Sequence, residues 1–428
     1  MINVDGYRCT YCGGCVSVCP VDALTLAETR LVVDDACIDC ARCVPACPVG
    51  ALRLDNAKRV EQPALFSRHY DLVVVGAGPG GSTAARVAAE GGLSVLLLEK
   101  RQEIGSPVRC AEGIGHDALI SFIRPDPRWI SARVNKAEII TVVDSDRKTL
   151  CAQGGHGYIL ERRVFDRVLA ERAAQAGAEV RVKTAATGLL LAEGRVCGVS
   201  IQRSGASAGG AMEVEARVVI AADGVEAQLG RWAGLDVQLP LRDTMVCAQY
   251  LLAGIEIDPE CTCYVIGQGI APGGYAWIFP KGHGKANVGL GVQADLWETQ
   301  VSSGETVLGH LIRFIEARPA LAQGYPVTLV TGNVPSALPP ARLVTDGLML
   351  VGDAARQVDP LTGGGITSAM VAGKLAAQVV IRAIAAGDTS GYSLSRYEKA
   401  WQREIGRKMA RNYRLRERFP PRQRADER

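Results

Sequence analysis

The sequence predicts an α/β chain that carries a small cysteine-rich α+β module at its N-terminus. Three observations predict it. A cysteine run repeats within the first fifty residues. A strand, glycine turn, helix and second strand open near residue 70, and a related glycine turn returns near residue 350. Between them, residues 236–335 read as successive strands. A length of 428 residues leaves room for two or three domains. The net charge of +3 excludes bulk attraction to nucleic acid, so no nucleic-acid partner is expected. No run of about 18 apolar residues stands out, so no helix is expected to span a membrane. The start, MINVDGYRCTYC, lacks the basic and apolar regions of a secretory leader, and a cytoplasmic location is expected.

Eight of the fourteen cysteines lie before residue 50, which points away from a scattered disulfide scaffold. YRCTYCGGCVSVCP and DACIDCARCVPACP repeat at an offset of 28, each with C-x2-C-x2-C-x3-C-P. Three close thiols on a tight loop wrap one side of an iron–sulfur cubane. The fourth cysteine leads into a short helix pointing away, and so ligates the other cluster. The expected sets are Cys9, Cys12, Cys15 and Cys47 for one [4Fe–4S] cluster, and Cys37, Cys40, Cys43 and Cys19 for the other. Zinc is the rival, but it has no use for two full runs with a trailing C-x3-C-P. The segment resembles a bacterial-type two-cluster ferredoxin over about residues 1–58.

After a linker at 61–69 containing Pro63, YDLVVVGAGPGGSTAARVAAEGGLSVLLLEK reads strand, turn, helix, strand. Gly76 permits the tight turn, Gly78 lets the backbone approach a pyrophosphate, and Gly81 allows close helix–strand packing. Glu99 ends the second strand, where an acid accepts from ribose hydroxyls. GLMLVGDAARQVDPLTGGGI, residues 347–366, and Asp223-Gly224 resemble the later motifs of flavoproteins of the glutathione-reductase and hydroxybenzoate-hydroxylase type. That resemblance implies a Rossmann-type FAD domain with Asp353 at the ribityl chain. No second G-x-G-x-x-G follows a strand, so no NAD(P)H domain is expected, and the flavin needs the clusters as its electron source.

Tyr275, Trp277 and Phe279 alternate in APGGYAWIFPKG, so a strand ending at Pro280 shows all three rings on one face. An aromatic core stripe would read the same way. Pro272, Tyr275, Trp277, Phe279 and Pro280 resemble the P-x-x-Y-x-W-x-F-P motif of geranylgeranyl reductases. SPVRCAEGIG, the R-x-x-F-D helix from Arg162 and YEKAWQREIG resemble further stretches of that family, from about Tyr70 to Met409. The resemblance implies that Gly80, Glu99, Cys110, Ala111, Gly113, Arg162, Ala186, Asp353, Gly365 and Ile366 surround FAD. It also implies an inserted antiparallel β-sheet over the flavin, and reduction of isolated C=C bonds in a polyprenyl lipid. Tyr275 and Trp277 then stabilise cationic character, and Cys110 is the candidate proton donor, with His283 a weaker one. Family members usually lack a fused ferredoxin, and many have further helices beyond the YEKAW stretch.

The expected division is 1–60 ferredoxin; 70–235 with 336–390, FAD domain; 236–335, substrate sheet; and 391–428, a C-terminal basic helix. From Lys399 onward 11 basic and 4 acidic residues give +7, which suits peripheral contact with anionic lipid or an acidic partner. An external low-potential donor is expected to feed the clusters. The rival reading is a flavoprotein–quinone oxidoreductase resembling electron-transfer-flavoprotein dehydrogenases. A monooxygenase of the hydroxybenzoate type fits oxygen-labile clusters poorly.

Overall fold

The structure is a computed structural model that describes residues 2–27, 30–54, 67–143, 146–203, 212–301 and 304–418. Most of the expected linker, residues 61–66, lies outside them. The N-terminal module pairs Ile2–Val4 with Leu52–Leu54 and Leu24–Ala27 with Arg30–Val33, both antiparallel. The 28-residue repeat shows in its core: Leu24 and Leu52 occupy equivalent places and are 4% and 3% exposed. The chain around Cys19 and Cys47 forms turns, not the short helices expected after each run. Tyr11, Asp39 and Ala41, between the first three cysteines of each run, take left-handed backbone, which lets three thiols in seven residues face one side.

The second body is built on an eight-stranded sheet in the order Glu179–Arg181, Val95–Leu98, His69–Val75, Met212–Ala221, Arg195–Arg203, Thr184–Ala192. Leu348–Leu350 adds in parallel to Met212–Ala221. The central strands are parallel and buried on both faces, which is why LVVV and VLLL read as unbroken apolar runs. Helices Pro79–Glu90 and Ile366–Ala385 cross against each other so closely that a Cβ on Gly373 would stand 2.1 Å from Gly80 O. Ile366–Ala385 is 20 residues long and, against the sequence reading, apolar enough by length and composition to cross a membrane. It is mostly buried as a core helix.

A second eight-stranded sheet runs Tyr325–Pro335, Thr244–Ala253, Lys285–Gln293, Tyr275–Gly282, Cys261–Ile266, Ile130–Val143, Asp146–Leu160, Gly113–Gly115. All pairs are antiparallel except Cys261–Ile266 with Ile130–Val143. The last three strands come from sequence well before residue 236, so the two sheets interleave along the chain. The strand Tyr275–Gly282 does not stop at Pro280; the register slips between Pro280 and Gly282 instead, where the ring removes a ladder donor. Helices Val307–Glu316 and Pro319–Ala322 cover the back of this sheet, burying Leu311, Phe314 and Leu321.

Arg396–Trp401, a π-helical turn Gln402–Gly406 and Arg407–Arg416 close the described chain. Tyr397 and Trp401 are buried in the main core. Tyr397 Oη donates to Leu350 O at 3.0 Å and accepts from Gln357 Nε2 at 2.7 Å, while Gln357 Oε1 accepts from Gly352 N at 2.8 Å. The C-terminal helices thereby brace the Gly352-Asp353 turn.

Candidate active site

In the N-terminal module, Cys9, Cys12, Cys15 and Cys47 line one cavity together with Leu26 and Leu31. Cys19 is absent from that lining. These four thiols stand around the cavity, and among the described residues no three ligand-type side chains converge as they would on a single metal ion. That arrangement suits a four-iron cubane held from its corners.

The glycine turn of the main body separates three jobs. Gly76 has φ +106°, and a Cβ there would lie 2.2 Å from Ala222 O. A Cβ on Gly81 would lie 1.9 Å from Gly76 O, so strand and helix touch backbone to backbone. At Gly78 nothing lies within 4 Å of such a Cβ, which leaves the helix N-terminus open toward a bound group. That N-terminus has no side-chain cap, so its first N–H groups are free for a pyrophosphate. Glu99 is held for its place: Oε2 accepts from Ala77 N at 3.2 Å and Oε1 from Arg101 N at 2.9 Å. Ala186 sits half-buried beside a bulge in the outer strand.

Two acids mark the rest of the dinucleotide groove. Asp223 Oδ2 accepts from Leu229 N at 3.0 Å, but its buried Oδ1 has no partner. Burial pushes the Asp223 carboxyl up, against opposing backbone hydrogen bonds. Burial also pushes Asp353 up, against the Arg162 charge. A Cβ on Gly365 would stand 3.6 Å from Asp353 Oδ1, so Asp353 faces the start of the helix at Ile366. An orphaned buried oxygen, a confined carboxyl and an open glycine fit a ligand rich in hydroxyls and phosphate.

Arg162 opens the helix Arg162–Gln175 and grips Asp166 through two bonds of 3.1 and 2.6 Å. Burial works against its charge, but the Asp166 carboxylate overrides that. Its positive charge also favours the thiolate form of Cys110. Cys110 is half-buried, and Glu112 N donates to its Sγ at 3.2 Å. Burial pushes the thiol up, outweighing the pull of Arg162.

Across from Cys110 lies the face of the second sheet. Tyr275, Trp277 and Phe279 share it, as the alternation predicts. Trp277 stands opposite Gly289 and Tyr275 opposite Gly291. A Cβ on Gly289 would meet Trp277 Cζ2 at 2.4 Å, so the glycine makes room for the indole. Tyr264, cross-strand from Trp277, adds a fourth ring, at 5.2 Å from Phe279 and 5.7 Å from Tyr275. Cys247 lies against Gly291 on the same face, and burial pushes its thiol up to about 12.

Several residues that join the two halves escaped the sequence reading. Gln249 Oε1 accepts from Trp277 Nε1 at 2.8 Å, and its Nε2 donates to Cys110 O at 3.1 Å. Glu112 is 4% exposed with φ +73°. Its carboxylate accepts from Arg162 N at 2.8 Å, Lys281 Nζ at 2.7 Å and Asn287 Nδ2 at 2.8 Å. Lys281 continues the alternation 275, 277, 279, and that was the available signal. His283 sits in an exposed left-handed turn at the hairpin tip, the far end of the strand from Tyr275.

This geometry meets three family models: 4Fe-4S dicluster domain over residues 8–51, FAD dependent oxidoreductase over 71–250, and geranylgeranyl reductase catalytic domain over 243–334. A digeranylgeranylglycerophospholipid reductase of Methanosphaerula palustris is 47% identical over 353 residues, covering 82% of this chain and 86% of that one. One of Methanothrix thermoacetophila is 49% identical over 351 residues, with 82% and 87% covered. The chain belongs to the geranylgeranyl reductase family. A geranylgeranyl bacteriochlorophyll reductase-like protein of Thermoplasma acidophilum shares the structure at TM-score 0.76 and 43% identity, over 82% of this chain and 87% of that one. A flavin-dependent brominase, Bmp2, matches at TM-score 0.64 and 20% identity, over 82% of this chain and 90% of that one, which shows the fold alone. This member of the family is an FAD-dependent reductase with an N-terminal 4Fe-4S dicluster domain.

Proposed function

We propose that the chain saturates isolated carbon–carbon double bonds of a geranylgeranyl-type lipid, with the alkene lying between the Cys110 loop and the aromatic face. The observation that carries this is the wall of Tyr264, Tyr275, Trp277 and Phe279 set across from a half-buried thiol. Such a slot is apolar enough for an isoprene unit and offers ring faces to a developing cation.

Bound FAD, held along Gly76, Gly78, Gly80, Gly81, Glu99, Ala186, Asp353, Gly365 and Ile366, supplies two electrons and one hydrogen. The chain's own task is the other hydrogen. The π bond breaks, two C–H bonds form, and a proton must reach the less substituted carbon. Cys110 Sγ–H is suited to give it, because burial keeps the thiol protonated at neutral pH. Arg162 beside it steadies the thiolate left behind. Tyr275 is a poorer donor, because its Oη already donates to Thr362 O at 2.5 Å. Its ring, with that of Trp277, bears on the cationic carbon.

The two crossed cysteine sets make the N-terminal module an electron inlet fed by an external low-potential donor. The division at 1–60, 61–69, 70–235 with 336–390, 236–335 and 391–428 belongs to this reading, with the substrate sheet borrowing strands from the FAD segment. Anaerobic incubation of the loaded, dithionite-reduced protein with a geranylgeranyl glycerophospholipid tests it by mass spectrometry. A gain of about two mass units per double bond is expected. No gain, together with rapid oxidation by a quinone, overturns it in favour of a quinone oxidoreductase.

A further inference from the structure

The helix Arg407–Arg416 has two unlike sides. Its inner side is pinned by three bonds: Asn412 Nδ2 to Asp359 Oδ2 at 2.7 Å, Arg416 Nη2 to Asp243 Oδ1 at 2.8 Å, and Arg416 Nη1 to Ser336 Oγ at 2.6 Å. Each partner lies two residues from an exposed leucine. These are Leu361, Leu241 and Leu338, exposed by 38, 55 and 38%. The Asp359 turn belongs to the active site, since Gly363 N donates to Asp359 O at 2.8 Å and Thr362 O accepts from Tyr275.

The outer side is basic. Arg407, Lys408, Arg411 and Arg414 are exposed, with Arg403 one turn before and Arg418 one turn after. Among the described residues, no ion pair or side-chain hydrogen bond reaches Arg403, Arg407, Arg411 or Arg414. The stripe is about 22 Å long at a helical rise of about 1.5 Å per residue. Like charges at four-residue spacing repel one another, and Glu404 and Glu417, the exposed acids of this stretch, offset only part of that repulsion.

We propose that this face lies on the surface of an anionic lipid bilayer, with the three leucines dipping among the acyl chains and the prenyl chain entering past the Asp359–Gly364 turn. The proposal rests on the reading that the substrate is a membrane lipid. An anionic surface offsets the excess of basic over acidic residues on this face, and exposed leucines inserted there gain from leaving water. A solvated basic helix accounts for the arginines but not for three exposed leucines on the loops it pins. An acidic protein partner accounts for neither the leucines nor their place at the substrate turn.

The test uses the FAD- and cluster-loaded full chain. It is sedimented with vesicles of phosphatidylcholine alone, or with about a third phosphatidylglycerol. Binding to the anionic vesicles only is expected, with release at about 0.5 M salt. The triple variant Arg403→Gln/Arg407→Gln/Arg411→Gln loses about a hundredfold in apparent affinity, at about fivefold per charge. Leu241→Ser/Leu338→Ser weakens binding on its own. Reduction of a short, water-dispersed prenyl alcohol stays unchanged in the triple variant, so loss of that reaction in the parent protein overturns the substrate reading and not the surface. Equal sedimentation of parent and triple variant overturns the proposal. So does the absence of vesicle binding combined with slower electron delivery to the triple variant, which assigns the stripe to an acidic protein donor.

Discussion

Desolvation favours the protonated form of the half-buried Cys110 thiol, and its pH dependence follows from that. Burial raises the thiol while Arg162 pulls the other way, with burial the larger effect. Turnover that uses Sγ–H therefore stays flat through the ordinary thiol range near pH ~8.5 and falls only above it, as the proton is lost. Cys110→Ser is expected to keep FAD, slow single-turnover reduction about 10- to 100-fold, and abolish that alkaline limb. Unchanged turnover in Cys110→Ser removes the thiol from the chemistry. The same scale shows what the sequence displayed and what it hid. Gly76 and Gly81 were legible because a backbone contact admits no side chain. Tyr275, Trp277 and Phe279 were legible because alternation is a local property. Gln249, Glu112 and Asn287 come from three distant stretches, and nothing near any of them announces the others.

At the scale of elements, a buried ion pair ties the loop that carries Cys110 to the second sheet. Lys281 and Glu112 side chains are 6% and 5% exposed and 2.7 Å apart. Glu112 also caps the helix at Arg162, and Asn287 Nδ2 reaches Ala111 O at 3.2 Å. Moving Lys281 thus moves the peptide that carries Cys110. Lys281→Met strands the Glu112 carboxylate and is expected to cost about 3–5 kcal/mol in urea unfolding. A loss below about 1 kcal/mol contradicts the role given to the pair. The iron–sulfur loops allow an equally local test. Cys47 shares a cavity with Cys9, Cys12 and Cys15. Cys47→Ala is expected to perturb the electron paramagnetic resonance signal of the first-run cluster and spare the other. The reverse pattern breaks the crossed assignment. The parallel pairing of Cys261–Ile266 with Ile130–Val143, which brings Tyr264 to the aromatic wall, had no signature in sequence. Its partner lies more than 120 residues earlier.

For the whole molecule, the chain joins a 4Fe-4S dicluster domain, an FAD oxidoreductase body and an aromatic sheet in one polypeptide. The order of these parts was legible because each has a dense local signature: the cysteine runs, the glycine turns and the alternating rings. Their interleaving was not, since sheet membership is decided by long-range pairing. The basic end was legible as charge, but its pinning to the turn at Asp359 through Asn412 was visible only in the fold. The central claim is that electrons held by the protein leave it through an isoprenoid double bond. The most direct measurement mixes the fully reduced, anaerobic holoprotein with a geranylgeranyl glycerophospholipid and follows flavin absorbance, with the saturated phytanyl lipid as control. The account predicts rapid reoxidation by the unsaturated lipid and none by the saturated one. Reoxidation by neither lipid, but promptly by a quinone, would contradict it.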